Sequence, residues 1–144
     1  MVSLRSVAGR VAIGKMIGLI VGLVCLAFLP GFGFPTLSFF GLGTLIMFVL
    51  MGTLIGFVGQ FDRHPALDFA MPWWFRGSAV GFAFMLMFVL LSYGSLEFIM
   101  QSSLIAWTGL QSPFWALIDG VIIGMLMAYC ETRFAGEGST LPLR

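Results

Sequence analysis

Three sets of residues in this chain are of types that could do chemistry. The first is one carboxylate, Asp119, inside the apolar run SPFWALIDGVIIGMLMAYCETR, Ser112 to Arg133. A charged side chain at the centre of a membrane helix costs around 3 kcal/mol on insertion scales, so such a group is kept for a reason. Six residues from the outer start of the fourth helical run, at Pro113, place Asp119 about 9 Å below the boundary, at 1.5 Å of rise per residue. Three roles compete. Asp119 could tie helices together by hydrogen bonds, with Ser92, Tyr93, Ser95, Thr44 and Cys25 at matching depth. It could line a watery path and hold a cation or relay a proton. It could also pair with a basic group on another subunit.

The second set is Asp62, His64 and Asp68 in the segment FDRHPALDFAMP. Carboxylate oxygens and imidazole can hold a metal, but this spacing matches no metal motif, and Pro65 makes a turn the simpler reading. No metal and no cofactor is expected, since ligation of haem or chlorophyll would need a histidine at depth and His64 is the only one. The third set is the serines 92, 95, 102 and 103, which have no histidine or lysine near them. Catalysis needs a nucleophile, a base and an orienting group to converge. An enzyme is not expected.

The elements that position these residues follow from composition. The chain has 144 residues, 60% hydrophobic and only 9% charged. A soluble domain carries about 25% charged residues to wet its surface, so lipid must be the solvent for most of this one. A helix needs about 20 apolar residues to cross the hydrocarbon. Four runs qualify, at 11–29, 37–61, 73–96 and 113–130, and they account for most of the chain. The first follows Arg5, Arg10 and Lys15 as a signal peptide would, but it lacks a small-x-small cleavage site and reads as a retained helix.

Arg5, Arg10, Lys15, Arg63, Arg76, Arg133 and Arg144 all fall on one side if both termini are cytoplasmic, while the other two loops contain no lysine or arginine. That asymmetry sets orientation and suits a bacterial inner membrane. Lys15, Trp73, Trp74, Arg76, Trp107 and Trp115 are the expected lipid-interface anchors, and Arg10, Arg63 and Arg133 read similarly. Cys25 and Cys130 lie at opposite depths, too far apart for a disulfide.

Each helix carries small residues four apart: Gly14, Gly18 and Gly22; Gly52 and Gly56; Gly77 and Gly81; Gly120 and Gly124. Such grooves let helix backbones approach in lipid. Most lie in the half nearer the termini, whereas the outer half is filled by Phe and Met, which describes a bundle narrow inside and wide outside. A shift of 68 residues brings Gly52 and Gly56 onto Gly120 and Gly124, and Gly14 falls near Gly81. This fits either a duplicated two-helix hairpin, a parallel repeat about an axis along the membrane normal, or chance among 19 glycines.

The expected fold is an all-α integral membrane protein, a bundle of four transmembrane helices over 1–134, followed by a loose tail at 135–144. The expected function is non-enzymatic. It is that of a self-associating or accessory subunit of a membrane complex, packed through its glycine seams. The alternative is an oligomeric channel or transporter for a cation, proton or small solute using Asp119. Membrane lipids, further copies of the chain or other membrane subunits are the expected partners, and nucleic acid is not.

Overall fold

The computed structural model describes residues 4–64 and 66–143. Pro65 and Arg144, read above as a loop breaker and a basic flank, lie outside that set. Among the described residues the chain is helical, with one isolated bridge between Arg63 and Ala70 and no strand. The helices are α1 (Val7–Phe28), α2 (Phe39–Val58), α3 (Trp73–Leu91), α4 (Tyr93–Met100), α5 (Ser103–Ala106) and α6 (Ala116–Ala135). Four of these stretches are long and apolar enough to cross a membrane: Val7–Phe32, Phe39–Val58, Trp73–Leu91 and Pro113–Ala135. The chain is therefore read as an integral membrane protein.

Local chemistry explains the boundaries. Ser6 opens α1 by accepting the Gly9 amide at 3.0 Å, four residues before the apolar run begins. Its hydroxyl satisfies one of the amides that the first turn of a helix leaves without a partner. Ser38 does the same for α2 through the Gly41 amide at 3.1 Å. Between them, Leu29–Phe32 form a 3-10 turn closed by Gly33 at φ 85°, a left-handed position that suits glycine. The third span stops at Ser92, whose φ of −122° and ψ of 26° leave the helical region, and α4 departs from there. The loop between the third and fourth spans thus contains two short helices, and the last span runs five residues further than its apolar run, to Ala135.

α1 lies along α2, and α3 lies along α6; the two pairs meet through α1 with α6, α2 with α3, and α2 with α6. The pairs are held by the glycines. A Cβ built on Gly14 would collide with the Gly52 backbone, and one on Gly52 with that of Gly14. A Cβ on Gly56 would stand 2.9 Å from the Arg10 carbonyl oxygen. In the other pair, Gly77 meets Gly124, while Gly81 meets both Gly120 and Gly124. In lipid, apolar side chains gain little by leaving hydrocarbon for each other, so this backbone proximity is a main source of attraction between helices. Between the pairs, Met51, Ile55, Val89, Met127 and Ala128 form a fully buried core.

The tail departs from its expected looseness. The amides of Val7 and Ala8, at the start of α1, donate to the carbonyls of Pro142 and Leu143 at 3.0 and 3.2 Å. Gly138 donates to Gly59 at 3.1 Å, and Ser139 to Asp62. The exposed amides of a helix start need acceptors, and the tail supplies them. Its lack of apolar periodicity concealed this, because these contacts are made by backbone and small polar groups.

Candidate functional site

Charge is handled differently at the two ends of the bundle. At the end that carries both termini, Arg10 enters from the first turn of α1 and is 1% exposed. Its Nε donates to the Gly56 carbonyl at 3.2 Å. One terminal nitrogen donates to the Gly136 carbonyl and to the Thr132 hydroxyl, and the other pairs with Glu131 Oε2 at 3.4 Å. Gly59 makes room for the guanidinium, which would strike any Cβ there. Glu131, from α6, has no exposed surface; its Oε1 lies against Gly14 and has no hydrogen-bond partner. Arg76, from the first turn of α3, donates to the Phe61 carbonyl at 2.7 Å and pairs with Glu137 of the tail.

Two interface assignments change as a result. Arg76, expected among the lipid anchors, is 4% exposed, and Arg10 is likewise enclosed. Their fork of donors satisfies several carbonyls and a carboxylate at once, which a snorkelling side chain would leave to water. Lys15 and Trp74 are exposed, as are Trp107 and Trp115 in the far loop and at the start of the last span. Trp73 is half-buried, its ring 5.5 Å from that of Tyr129.

The loop set of Asp62, His64 and Asp68 serves local structure. His64 Nδ1 accepts the amides of Ala66 and Leu67 at 3.2 and 3.1 Å, and Asp68 pairs with Arg63 at 3.0 Å. Asp62 accepts both the amide and the hydroxyl of Ser139, which hold its carboxyl below the usual carboxylate range. Among the described residues no three potential ligands come together as a metal site would require.

At the far end a cavity of about 450 Å³ lies among residues of both helix pairs. Phe28, Phe40, Phe48, Met85 and Phe88 contribute to its walls, and Leu96, Met100 and Ile105 from α4 and the start of the far loop reach it. Asp119 lines it, together with Thr44 and Cys25. Of the partners expected for Asp119, the structure therefore brings two to the same cavity. Thr44, however, donates its hydroxyl to the Phe40 carbonyl at 2.9 Å, within its own helix. Ser92 sits at the break after α3, and Tyr93 faces the Phe114 ring at 6.0 Å; neither lines the cavity. Among the described residues the side chain of Asp119, which is exposed on this chain alone, makes no hydrogen bond and no ion pair. It is the one carboxylate of the membrane segments left in this condition, since Glu131 is paired.

A sequence signal for the paired cluster exists in retrospect. Arg10 continues the four-residue stripe of Gly14, Gly18 and Gly22, and Glu131 falls seven residues after Gly124 on the face of Gly120. A charge that ends a glycine stripe points into the helix contact. Comparison with protein-family models, with curated proteins and with solved structures finds no match for this chain.

Proposed function

We propose that this chain is a non-enzymatic membrane subunit that works by binding, and that the group it binds completes Asp119. The carrying observation is the contrast in pairing. The chain pairs Arg10 with Glu131 through one carboxylate oxygen and Arg76 with Glu137, yet leaves Asp119 on the wall of a cavity without an ion-pair partner. A carboxylate at that depth is costly alone, so a donor or a cation from outside the chain is what fits it. A second copy, another membrane subunit or a small guest would each qualify.

The glycines 14, 18, 22, 52, 56, 77, 81, 120 and 124 take a different place in this reading from the seams between subunits expected of them. They face helices of the same chain, so they build the subunit, and its association with others falls to the Asp119 side. Both termini lie on the cytoplasmic side of a bacterial inner membrane in this proposal, because the basic residues gather at that end. A parallel two-hairpin repeat also belongs to it. The contacts of Arg10 with Gly56 and Gly14 with Gly52 correspond, at shifts of 67 and 68, to those of Gly77 with Gly124 and Gly81 with Gly120.

The channel or transporter reading has one observation in its favour, a carboxylate on the wall of a cavity. Against it, the half nearer the termini is closed by backbone contacts at the glycines and by the enclosed Arg10 and Glu131. The test is the composition of the particle. Wild type purified in mild detergent should carry mass beyond one chain by native mass spectrometry, and Asp119→Asn should lose it. Identical bare monomers from both would overturn the proposal. Cation or proton flux in proteoliposomes that Asp119→Asn abolishes would install the transporter in its place.

A further inference from the structure

We propose that the far-end cavity is a binding site for a lipophilic organic cation, an alkyl or aryl ammonium or phosphonium ion, with Asp119 as its counter-ion. This rests on the reading that Asp119 is completed from outside the chain, and it names what completes it.

Size comes first. At about 450 Å³ the space falls within the range of small-molecule sites, roughly 300–1,000 Å³. A partner helix with its side chains is about 10–12 Å across and runs 1.5 Å per residue, so a spanning helix needs a long open groove. This cavity occupies only the far half of the bundle, and residues of α4 and the far loop reach over it. It suits a compact guest better than a helix.

Chemistry of the walls narrows the class. The lining is almost wholly apolar, and its polar side chains are Asp119, Thr44 and Cys25. The Thr44 hydroxyl already donates its hydrogen bond to the Phe40 carbonyl, and a thiol is a weak partner. No lysine or arginine is in the lining, so an anionic or zwitterionic head would find nothing to hold its negative charge. The unpaired carboxylate selects for positive charge. Phe28, Phe32, Phe40, Phe48 and Phe88 offer aromatic faces that attract organic cations. Met47, Met85 and Met100 give walls that adapt to varied shapes.

Access fits as well. Asp119 also borders a neighbouring depression formed with Thr108, Leu110, Trp115 and Ile118. The carboxylate therefore stands between the cavity and the surface of the far end. A guest partitioned into the outer part of the bilayer can reach it without crossing the sealed half.

The experiment uses two ions of the same shape and opposite sign, tetraphenylphosphonium and tetraphenylborate, with the full chain in mild detergent. Equilibrium dialysis should show saturable binding of the phosphonium and none of the borate. Asp119→Asn should weaken the phosphonium about tenfold or more, as loss of a partly enclosed charge partner does, and Asp119→Glu should restore most of it. Independently of any variant, phosphonium should protect Cys25, on the cavity wall, from maleimide labelling while leaving Cys130 unaffected. Equal uptake of both ions, or phosphonium binding indifferent to Asp119→Asn, overturns the inference. So does unprotected Cys25. If neither ion binds but a protein subunit co-purifies in an Asp119-dependent way, the inference fails while the binding-subunit reading stands; if nothing depends on Asp119, both fail.

Discussion

Arg10 and Asp119 each lie within two turns of the end of a membrane segment, and the bundle treats them in opposite ways. Arg10 is enclosed by α2, α6 and the tail, and its guanidinium reaches two carbonyls, a hydroxyl and a carboxylate. Asp119 has walls of phenylalanine and methionine and no partner among the described residues. The difference teaches what each end is built to do. Where glycines let backbones touch, little room is left for a guest, and a charge survives there only if the chain neutralises it. Where bulky side chains hold the helix pairs apart, a cavity opens and a charge can wait for a partner. In the proposed reading, rigidity and binding are thus segregated along the same four helices.

The comparison breaks most sharply at Arg10. Arg10→Met leaves Glu131 buried without its cation, and removing one member of an enclosed pair costs about 3–5 kcal/mol. That loss should appear as unfolding at a much lower fraction of sodium dodecyl sulfate in mixed micelles. The double variant Arg10→Met with Glu131→Leu should regain a large part of it, because apolar replacement of both partners removes the uncompensated charge. A single variant as mild as an ordinary surface change, within about 0.5 kcal/mol, would show that the terminal end is not held by this pair.

A smaller and more pointed contrast comes from the same chemical change made at both ends. Glu131→Gln exchanges a charge-assisted bond to Arg10 for a neutral one and leaves the guanidinium uncompensated. Bonds to charged groups contribute about 1.5–3 kcal/mol, so a loss of that order is expected in the same unfolding assay. Asp119→Asn removes a charge that nothing in the chain stabilises, so the isolated subunit should unfold no earlier than wild type, and slightly later. Equal destabilisation by the two amides would mean that Asp119 has a partner within the chain after all.

The span pattern was readable in the sequence because it rests on composition. Lipid as solvent, four crossings and glycine stripes all follow from runs of apolar residues and their period. Asp119 was readable for the same reason, as an exception inside such a run. Glu131, Arg10 and Arg76 were harder because they lie at span ends, where a charge ordinarily means an interface. Only the register of Arg10 with Gly14 and of Glu131 with Gly124 distinguishes enclosure from snorkelling, and Arg76, next to Gly77 and about 100° around the helix from it, carries no such sign. The tail was illegible for another reason. Its contacts are backbone carbonyls meeting the open amides of α1, together with Ser139 meeting Asp62, and side-chain patterning does not encode backbone partners. The cavity at the far end was foreshadowed by the crowd of Phe and Met there, but the break at Ser92 that lets α4 depart had no marker such as Pro or Gly at that position.

The smallest effect tests how far the terminal end depends on its latch. Asp62 accepts the amide of Ser139 at 3.0 Å and its hydroxyl at 2.9 Å, and these donors lower its pKa. A carboxylate whose pKa is lower in the folded chain stabilises the fold while it is ionised. The contribution is complete above the unfolded value, about 3.9, and fades as pH falls through the lower folded value. Docking of residues 138–143 should therefore be constant at neutral pH and loosen only under acid. Asp62 is exposed, so solvent screens the contact and the core should not notice. Deuterium uptake at the Gly138 and Ser139 amides, corrected for the intrinsic rate at each pH, should rise in acid for wild type. Asp62→Ala should show that raised uptake already at neutral pH, and Ser139→Ala, which keeps the amide donor, should fall between them. Should Asp62→Ala leave the tail as protected as before, the latch is carried by Arg76 with Glu137 and by the Pro142 and Leu143 carbonyls that accept the α1 amides.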